Sequence, residues 1–257
     1  MPRALWTGAS GMAAQQINVD VIANNIANVN TTGFKRQRTN FQDLFYDVQV
    51  SPGEKASDLG RNPTGTQIGT GVKLSSTPRI FTPGNIESTG NATDLAVDGE
   101  GFFKVTLQDG TTSAYTRAGD FRPDANGNLV TPDGLLVPGI AGIDPAAGSI
   151  SVSTTGEVAQ GGIVRGVLTL TRFNNPAGLV AIGRNLFTES TASGTPQDII
   201  PGTSGMGTIR SGALEKANVE VVTELVNLIV AQRAFETNSK SIKTSDEMLR
   251  TANEIIR

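Results

Sequence analysis

The N-terminal segment of this chain carries almost no charge. Between Ala4 and Thr32 the only ionisable side chain is that of Asp20. A helix that faces water normally carries Lys and Glu on its outer surface. The neutral surface here predicts a helix buried against other protein, where charges would cost desolvation. Apolar or small residues recur at heptad spacing along this helix: Leu5, Gly8, Met12, Val19, Ile22, Ile26 and Val29.

The composition of this first helix makes it weak in isolation. Gly8 and Gly11 each cost ~0.5–1 kcal/mol relative to alanine. Asparagine is a poor helix former because its side chain competes for backbone hydrogen bonds. We expect the helix to gain its stability from packing and to end at Gly33 through a left-handed cap. Its asparagines are Asn18, Asn24, Asn25, Asn28 and Asn30.

The C-terminal segment predicts a second helix with a matching heptad pattern. Asn218 is a suitable N-cap, and the pattern then steps by four and three from Val221 to Ile256. Val222, Val226 and Ile229 widen the apolar face over the first half. Two such helices predict a coiled-coil pair, although they also fit an ordinary helix pair that closes a globular domain. The large apolar members of the heptad are Leu225, Leu228, Phe235, Ile242 and Leu249.

Between the helices the sequence predicts an extended connector and an all-β domain. The stretch from Lys35 to about Thr70 is polar in its centre and rich in turn residues. Short β-prone runs then alternate with turn signals, of which Gln108–Thr111 and Asn126–Asn128 are the clearest. We therefore predict an α+β fold in three parts: a paired-helix domain formed by residues 1–34 and 214–257, an extended connector arm at 35–71, and an inserted all-β domain at 72–213.

The composition excludes several kinds of function. The chain has no cysteine and no histidine, which rules out disulfides, Cys-based zinc sites, Cys nucleophiles and any general base that uses His. A net charge of −3 gives no reason to expect nucleic acid. No apolar run approaches the ~20 residues that span a bilayer. We predict neither membrane insertion nor a cleaved secretory signal, because Gln and Asn interrupt the N-terminal segment.

Acidic residues offer the only candidates for chemistry. The run from Asp124 to Asn128 faintly resembles a calcium loop, but no Glu follows closely enough to complete one, and a hairpin turn fits better. Two of the acidic residues could also form the carboxylate pair of a carbohydrate-hydrolysing enzyme. Exposed positions in a surface strand and turn explain these acids more simply. We therefore predict no catalytic, cofactor or metal site. The acids of that alternative are Asp94, Asp98, Glu100, Asp120 and Asp124.

Several strings of residues carry a resemblance to a known family. Ala23–Arg36, which reads Ala-Asn-Asn-Ile-Ala-Asn-Val-Asn-Thr-Thr-Gly-Phe-Lys-Arg, closely resembles the N-terminal signature of the bacterial flagellar rod and hook proteins. Ser10–Gln16 fits the same pattern, and Val219–Ile229 resembles the family's C-terminal helix. Tyr115–Phe121 is similar to an internal family motif. Within the family, the chain length and the motif at 67–72 are most similar to subunits of the distal rod.

The resemblance implies a structural function. Subunits would leave the cell through the flagellar export apparatus and polymerise as copies of one another into a helical tube. Their paired terminal helices would form the inner layer, the connector would bridge neighbours, and the β-domain would face outward. The tube would transmit torque from motor to hook, as a rod crossing the periplasm to the outer membrane. Its partners would be proximal rod subunits, hook subunits and the surrounding basal-body rings.

This function places the important residues at interfaces between subunits. The expected assembly residues of the first helix are Leu5, Met12, Val19, Ile22, Asn24, Asn25, Ile26, Asn28 and Val29. Those of the second are Leu225, Leu228, Phe235, Ile242 and Leu249. Two alternatives stay open at this point: a proximal rod or hook subunit of the same structure, and a secreted β-domain that binds or hydrolyses carbohydrate.

Overall fold

The computed structural model describes residues 2–53, 55–57, 60–144, 150–203 and 205–255. It has one helix near each end of the chain, α1 (Pro2–Ala27) and α2 (Val221–Ile255), with many strands between them. The predicted α+β class is therefore confirmed. Each predicted part of the chain contains some residues outside the described ones: 1, 256 and 257 in the helical part, 54, 58 and 59 in the connector, and 145–149 and 204 in the β-domain.

The strands are short, and among the described residues one 3₁₀ turn, at Pro176–Gly178, interrupts them. In chain order the strands are β1 (Asn40–Asp43), β2 (Tyr46–Val50), β3 (Lys55–Ser57), β4 (Gly60–Arg61), β5 (Thr66–Gly69), β6 (Val72–Ser76), β7 (Ile86–Ser88), β8 (Leu95–Asp98), β9 (Phe102–Thr106), β10 (Ser113–Thr116), β11 (Arg122–Pro123), β12 (Leu129–Val130), β13 (Ile150–Val152), β14 (Glu157–Gln160), β15 (Ile163–Val167), β16 (Leu170–Arg172), β17 (Val180–Gly183), β18 (Leu186–Thr188), β19 (Gln197–Ile199), β20 (Thr208–Ser211) and β21 (Ala213–Glu215).

Helix α1 ends at Ala27, earlier than the end at Gly33 that the sequence predicts. The reason is local chemistry in the asparagine- and threonine-rich run that follows. The backbone amide of Thr31 donates to the carbonyl of Asn28 at 3.0 Å, and the Thr31 hydroxyl donates to Asn28 Oδ1 at 3.2 Å. These bonds close a turn instead of continuing the helix. Gly33 does take the predicted left-handed conformation, with φ of +66°.

The connector is more ordered than the extended arm that the sequence predicts. Strand β1 pairs with β6, β2 pairs with β5, and β3 pairs with β4, all antiparallel. The three nested pairs form a two-stranded hairpin within residues 40–53, 55–57 and 60–76. Strand β6, which the sequence division assigns to the β-domain, is thus half of the first pair of this hairpin.

The chain divides into two compact units. The first comprises Met1–Ile26, Gln37–Pro78 and Val221–Arg257, and so holds both helices and the hairpin. The second comprises Ala27–Arg36 and Arg79–Glu220. The backbone passes between the units four times, and both terminal helices belong to the first unit.

The second unit is built on β-structure. Its largest sheet has six strands in the order β17-β18-β10-β9-β16-β19, and a three-stranded sheet has the order β13-β14-β15. Buried Val, Leu and Ile side chains around Phe103 and Phe121 form its main core. A second cluster consists of aromatic rings in edge-to-face contact: Phe81, Phe102, Tyr115, Phe173 and Phe187.

The local hairpins of this unit lie where the sequence predicts them. Strands β9 and β10 pair across the Gln108–Thr111 turn, and β11 pairs with β12 across Asn126–Asn128. The Asp124 carboxylate accepts hydrogen bonds from the amides of Asn126 and Asn128, both at 2.8 Å. These backbone bonds lower the pKa of Asp124. The predicted hairpin turn is therefore confirmed at this acidic run.

Candidate assembly surfaces

Helices α1 and α2 contact each other along the first unit. A β-carbon added to Gly8 would lie 2.9 Å from Cγ1 of Ile242, and one added to Gly11 would lie 2.8 Å from Nδ2 of Asn238. Towards the other end of α1, Asn25 Nδ2 donates to the Glu224 carboxylate at 3.5 Å. The partner's residue number falls as the number on α1 rises, so the two helices run antiparallel. Both glycines lie against side chains of the second helix.

On α1 and in the turn after it, the apolar residues among the predicted assembly set are buried or half-buried. Ile22 is buried, at 5 % exposure, and Ala14 and Asn25 are buried with it. Leu5, Met12, Val19, Ile26 and Val29 are half-buried. Of the α1 positions, Gly8, Gly11 and Asn25 each meet a residue of α2. Gly8 belongs to the predicted heptad, whereas Gly11 and Asn25 precede the heptad positions Met12 and Ile26 by one residue each.

On α2, the predicted residues divide into two groups. Leu228, Ile242 and Leu249 are half-buried, whereas Leu225 and Phe235 are 45 % and 38 % exposed. The buried positions are Glu224 and Ala231, which sequence reasoning missed. The glycines of α1 were an available signal, because Gly8 and Gly11 leave room for the Ile242 and Asn238 side chains of α2.

An exposed apolar stripe covers a different side of α2 in its first half. At 100° per residue, Val222, Val226, Ile229 and Val230 point away from the side that carries Glu224, Leu228 and Ala231, while Val221 and Leu225 lie at its border. Monomeric soluble proteins rarely expose continuous apolar surface of this extent, and such surface marks interaction sites. We call this set the α2 stripe: Val221, Val222, Leu225, Val226, Ile229 and Val230, all 38–70 % exposed.

The three predicted asparagines have different surroundings. Asn25 is 1 % exposed and makes paired hydrogen bonds with the backbone of Gln37, where Oδ1 accepts from the amide and Nδ2 donates to the carbonyl, both at 2.9 Å. Asn28 is half-buried and takes part in the turn after α1. Asn24 is exposed. Within this chain, Asn25 fixes the start of the hairpin segment against α1.

The hairpin runs along α1 from that point towards the N-terminus. Thr39 Oγ1 donates to Asn18 Oδ1 at 2.6 Å, the Val72 amide donates to Ser10 Oγ at 3.4 Å, and Arg3 forms an ion pair with Asp47. Beyond Asp47, β2 continues to Val50 beside β5, and β3 then pairs with β4.

The hairpin also exposes large apolar side chains. Phe45 is 91 % exposed, and Trp6 on the neighbouring part of α1 is 75 % exposed. A two-stranded ribbon is marginally stable alone in water. Its exposed side chains form a second apolar surface of the first unit: Phe41, Phe45, Tyr46, Val48 and Ile68.

The acids of the carbohydrate alternative are engaged in structural contacts. Asp94 is buried and accepts hydrogen bonds from Thr89 at 2.6 Å and Asn91 at 3.1 Å. Asp98 pairs with Arg210 at 3.2 Å, and Glu100 pairs with Arg172 at 3.6 Å. The Asp120 backbone forms a β-bridge with that of Asp94, and Asp124 holds its own turn. Four of these five carboxylates, all except that of Asp120, therefore make contacts within the fold.

The described residues contain no cluster of acidic side chains suited to a metal ion. Over the same residues, neither helix combines the length and apolarity needed to cross a membrane.

Three family models match separate parts of the chain. Residues 5–35 match the flagella basal body rod protein model, residues 96–160 the flagellar hook protein FlgE/F/G D1 domain, and residues 210–255 the C-terminal model of the flagellar basal body rod FlgEFG proteins. The matched segments cover most of α1, the central strands of the second unit, and α2.

Full-length relatives are similar over the whole chain. The flagellar basal-body rod protein FlgG of Borreliella burgdorferi is 49 % identical, with all of both chains aligned. FlgG of Caulobacter vibrioides is 46 % identical over 98 % of this chain and 99 % of the relative, and FlgG of Bacillus subtilis is 42 % identical over 97 % of each. The flagellar hook protein FlgE of Helicobacter mustelae is 46 % identical, but over only 54 % of this chain and 31 % of the hook protein.

Proposed function

The chain belongs to the family of flagellar basal-body rod proteins, and on that premise we propose that it is a structural subunit of the distal rod, polymerising into a helical drive shaft. The observation that carries the proposal is the length of the similarity. Rod protein relatives align along their entire length, whereas the hook protein aligns over about a third of its own. The hook alternative therefore has less support than the rod.

The first unit supplies the surfaces from which we propose the polymer is built. The α2 stripe and the exposed hairpin side chains are apolar surfaces that one copy leaves open. A contact between two different surfaces of neighbouring copies repeats without closing and generates a helical filament. We propose that α1 and α2 form a coiled-coil inner layer and that the hairpin bridges adjacent copies.

The proposed positions of the other parts and partners follow from placing the chain in the rod. The β-structured residues 79–220 would form the outer layer, next to the basal-body rings. Proximal rod subunits and hook subunits would adjoin the two ends of the polymer, and the flagellar export apparatus would deliver each copy to the growing end. The shaft would cross the periplasm to the outer membrane and turn with the motor.

A charge placed in the helical layer tests the proposal. Ile26→Asp puts an unpaired carboxylate at a half-buried position of α1, which is costly when the surrounding protein excludes water. We expect cells that carry this variant to lack assembled distal rods and to be non-motile. The matched control is Ile163→Asp, since Ile163 is 60 % exposed in β15.

Electron microscopy of isolated basal bodies gives the result. Rods missing with Ile26→Asp and present with Ile163→Asp support the proposal. Normal rods that contain the Ile26→Asp chain would contradict the helical layer. Antibody labelling of this chain in wild-type basal bodies distinguishes a distal from a proximal rod subunit. Label at the proximal rod would replace the distal assignment.

A further inference from the structure

Three ionisable side chains lie together inside the second unit, far apart in the sequence. Lys35, Arg117 and Glu215 are 0 %, 3 % and 1 % exposed. Lys35 Nζ donates to Glu215 Oε1 at 2.6 Å and to the carbonyl of Thr82 at 2.8 Å. The amide of Gly84 donates to the same carboxylate oxygen at 2.8 Å. We call these three side chains the buried ion cluster.

Arg117 and Glu215 are held by the β-structure itself. The Arg117 guanidinium donates to the carbonyl of Gly99 at 2.8 Å and lies 5.3 Å from the centre of the Phe102 ring. It also approaches Glu215 Oε2 at 3.5 Å, and Glu215 ends strand β21. Lys35, unlike Arg117 and Glu215, lies on the short segment that follows α1. Burial lowers the pKa of Lys35, and Glu215 opposes that effect.

Backbone groups of the segment that carries Lys35 form hydrogen bonds with other residues of the second unit. The Gly33 amide donates to the Glu215 carbonyl at 2.7 Å, and the Arg36 amide donates to Asn218 Oδ1 at 2.8 Å. Asn185 Nδ2 donates to the Thr32 carbonyl at 2.7 Å. We call residues 32–36 the docked segment. It is where the chain first enters this unit after α1.

The docked segment fits in one register. A β-carbon at Gly33 would lie 2.5 Å from the carbonyl carbon of Arg117, so only glycine allows this approach. A shift by one residue would put a side chain at that point and withdraw the Lys35 ammonium from Glu215. A buried ion pair adds little net stability compared with apolar side chains, but an unpaired buried charge is strongly unfavourable.

We propose that Lys35 is a positioning residue whose ammonium group, rather than its aliphatic stem, holds the docked segment in register. Glu215 and Arg117 form a charged receptor that accepts a cation at one point only. Loss of the Lys35 ammonium leaves buried Glu215 with Arg117, at 3.5 Å, as its remaining cation. We expect this loss to release residues 32–36 while the cores of the second unit stay folded. The charge thus determines how the chain leaving α1 is attached to this unit.

The absence of native cysteine allows a test that separates charge from shape. The Lys35→Cys variant of the full chain is unfolded in urea, alkylated at its single thiol and refolded. Alkylation with 2-bromoethylamine gives a lysine-like side chain with an ammonium group. Alkylation with 1-bromopropane gives a neutral side chain of the same length. The Lys104→Cys variant, treated identically, is the control, because Lys104 pairs with Asp198 at 2.8 Å but is partly exposed.

Hydrogen exchange of the amides of Gly33, Arg36 and Gly84 is the readout, with the amides of β9 and β10 as the reference. We expect the aminoethyl product to match the unmodified chain and the propyl product to exchange ~100-fold faster at the three amides, with β9 and β10 unchanged. Both products of the Lys104→Cys control should match the unmodified chain.

Three results would overturn the proposal. Equal protection in the propyl product would mean that the stem alone positions the segment. Lost protection in the aminoethyl product would mean that the restored ammonium does not position it. Lost protection of β9 and β10 in the propyl product would mean that the charge supports the whole fold.

Discussion

Gly8 of α1 lies directly against Ile242 of α2, so closely that a β-carbon on the glycine would come within 2.9 Å of the isoleucine Cγ1 atom. The contact joins two residues separated by most of the chain and lies near the N-terminal end of α1. The Ile242 side chain fills the space beside position 8, so we expect the size of the side chain at that position to affect helix pairing.

Enlarging Gly8 should weaken the helix pair and hence the polymer. Gly8→Leu inserts four carbons into occupied space, and overpacking of this kind costs ~1–3 kcal/mol. We expect the yield of sedimentable polymer from purified subunits to fall ~10-fold or more. The double variant Gly8→Leu/Ile242→Ala should recover much of the loss, because the smaller partner makes room. Equal recovery from Ile255→Ala, at a 79 % exposed position, would contradict a specific contact.

Removing the Asn25 side chain should release the hairpin from α1. Asn25→Ala leaves the amide and carbonyl of Gln37 without the two bonds that Asn25 provides, at a cost of ~1–3 kcal/mol. We expect the Gln37 amide in assembled rods to exchange ~10–100-fold faster. Gln16→Ala, which removes an exposed amide from the same helix, should leave this rate unchanged. An unchanged rate in Asn25→Ala itself would show that the paired bonds do not hold the segment.

A charge on the α2 stripe should block assembly without unfolding the chain. Val226 is 54 % exposed, so Val226→Asp costs little in one copy but buries a carboxylate wherever a neighbour covers the stripe. We expect a normal circular-dichroism melt for the second unit together with loss of polymer in sedimentation. Val180→Asp, at a 51 % exposed position of β17, is the control and should polymerise normally. Polymer formation by the Val226→Asp chain would mean that the stripe is not a subunit contact.

Alkaline pH should destabilise the second unit through Tyr115. Burial, followed by the charges of Glu189 and Asp198, raises the pKa of Tyr115 to about 12. The folded unit retains this proton at pH values where the unfolded chain, with a tyrosine pKa near ~10, has lost it. Stability from this group is therefore fully present below pH ~10 and lost as the pH rises towards ~12, a total on the order of 2–3 kcal/mol.

A variant with one tyrosine isolates that titration. The chain has two tyrosines, and Tyr46→Phe leaves Tyr115 as the only phenol. Its ultraviolet absorbance should show phenolate only as the pH approaches 12. Ionisation near pH ~10 in a unit that is still folded would show that Tyr115 is not shielded by burial.

The sequence predicted features that depend on local patterns. The lack of charge around Asp20 and the heptad spacing identified α1, and turn residues such as those at Asn126–Asn128 identified local hairpins. Other features of the helices were missed, for physical reasons. Asn28 and Thr31 close a turn that ends the helix early. Glu224 and Ala231 are buried although neither belongs to the apolar heptad, and Glu224 accepts a hydrogen bond from Asn25 of α1. A hydrophobic pattern does not detect a helix contact made through a hydrogen bond.

Long-range pairing was beyond sequence reasoning. Asn40 pairs with Ser76 and Asp43 with Val72. The intervening sequence contains no simple hairpin turn signal at its centre that would predict this pairing. The buried ion cluster joins Lys35 to Glu215 across most of the chain. The sequence shows these charges as single residues, and only the fold shows that they lie together and are buried.

The measurement that tests the account most directly is hydrogen exchange on the dilute, soluble chain, compared with assembled rods. The central claim is that the first unit is completed by neighbouring copies. It predicts fast exchange in the dilute chain over α1, the hairpin and α2, protection within 27–36 and 79–220, and protection of all these regions in the rod. Full protection of both helices in the dilute chain would contradict the claim, because the helices would then form a self-contained core that needs no second copy.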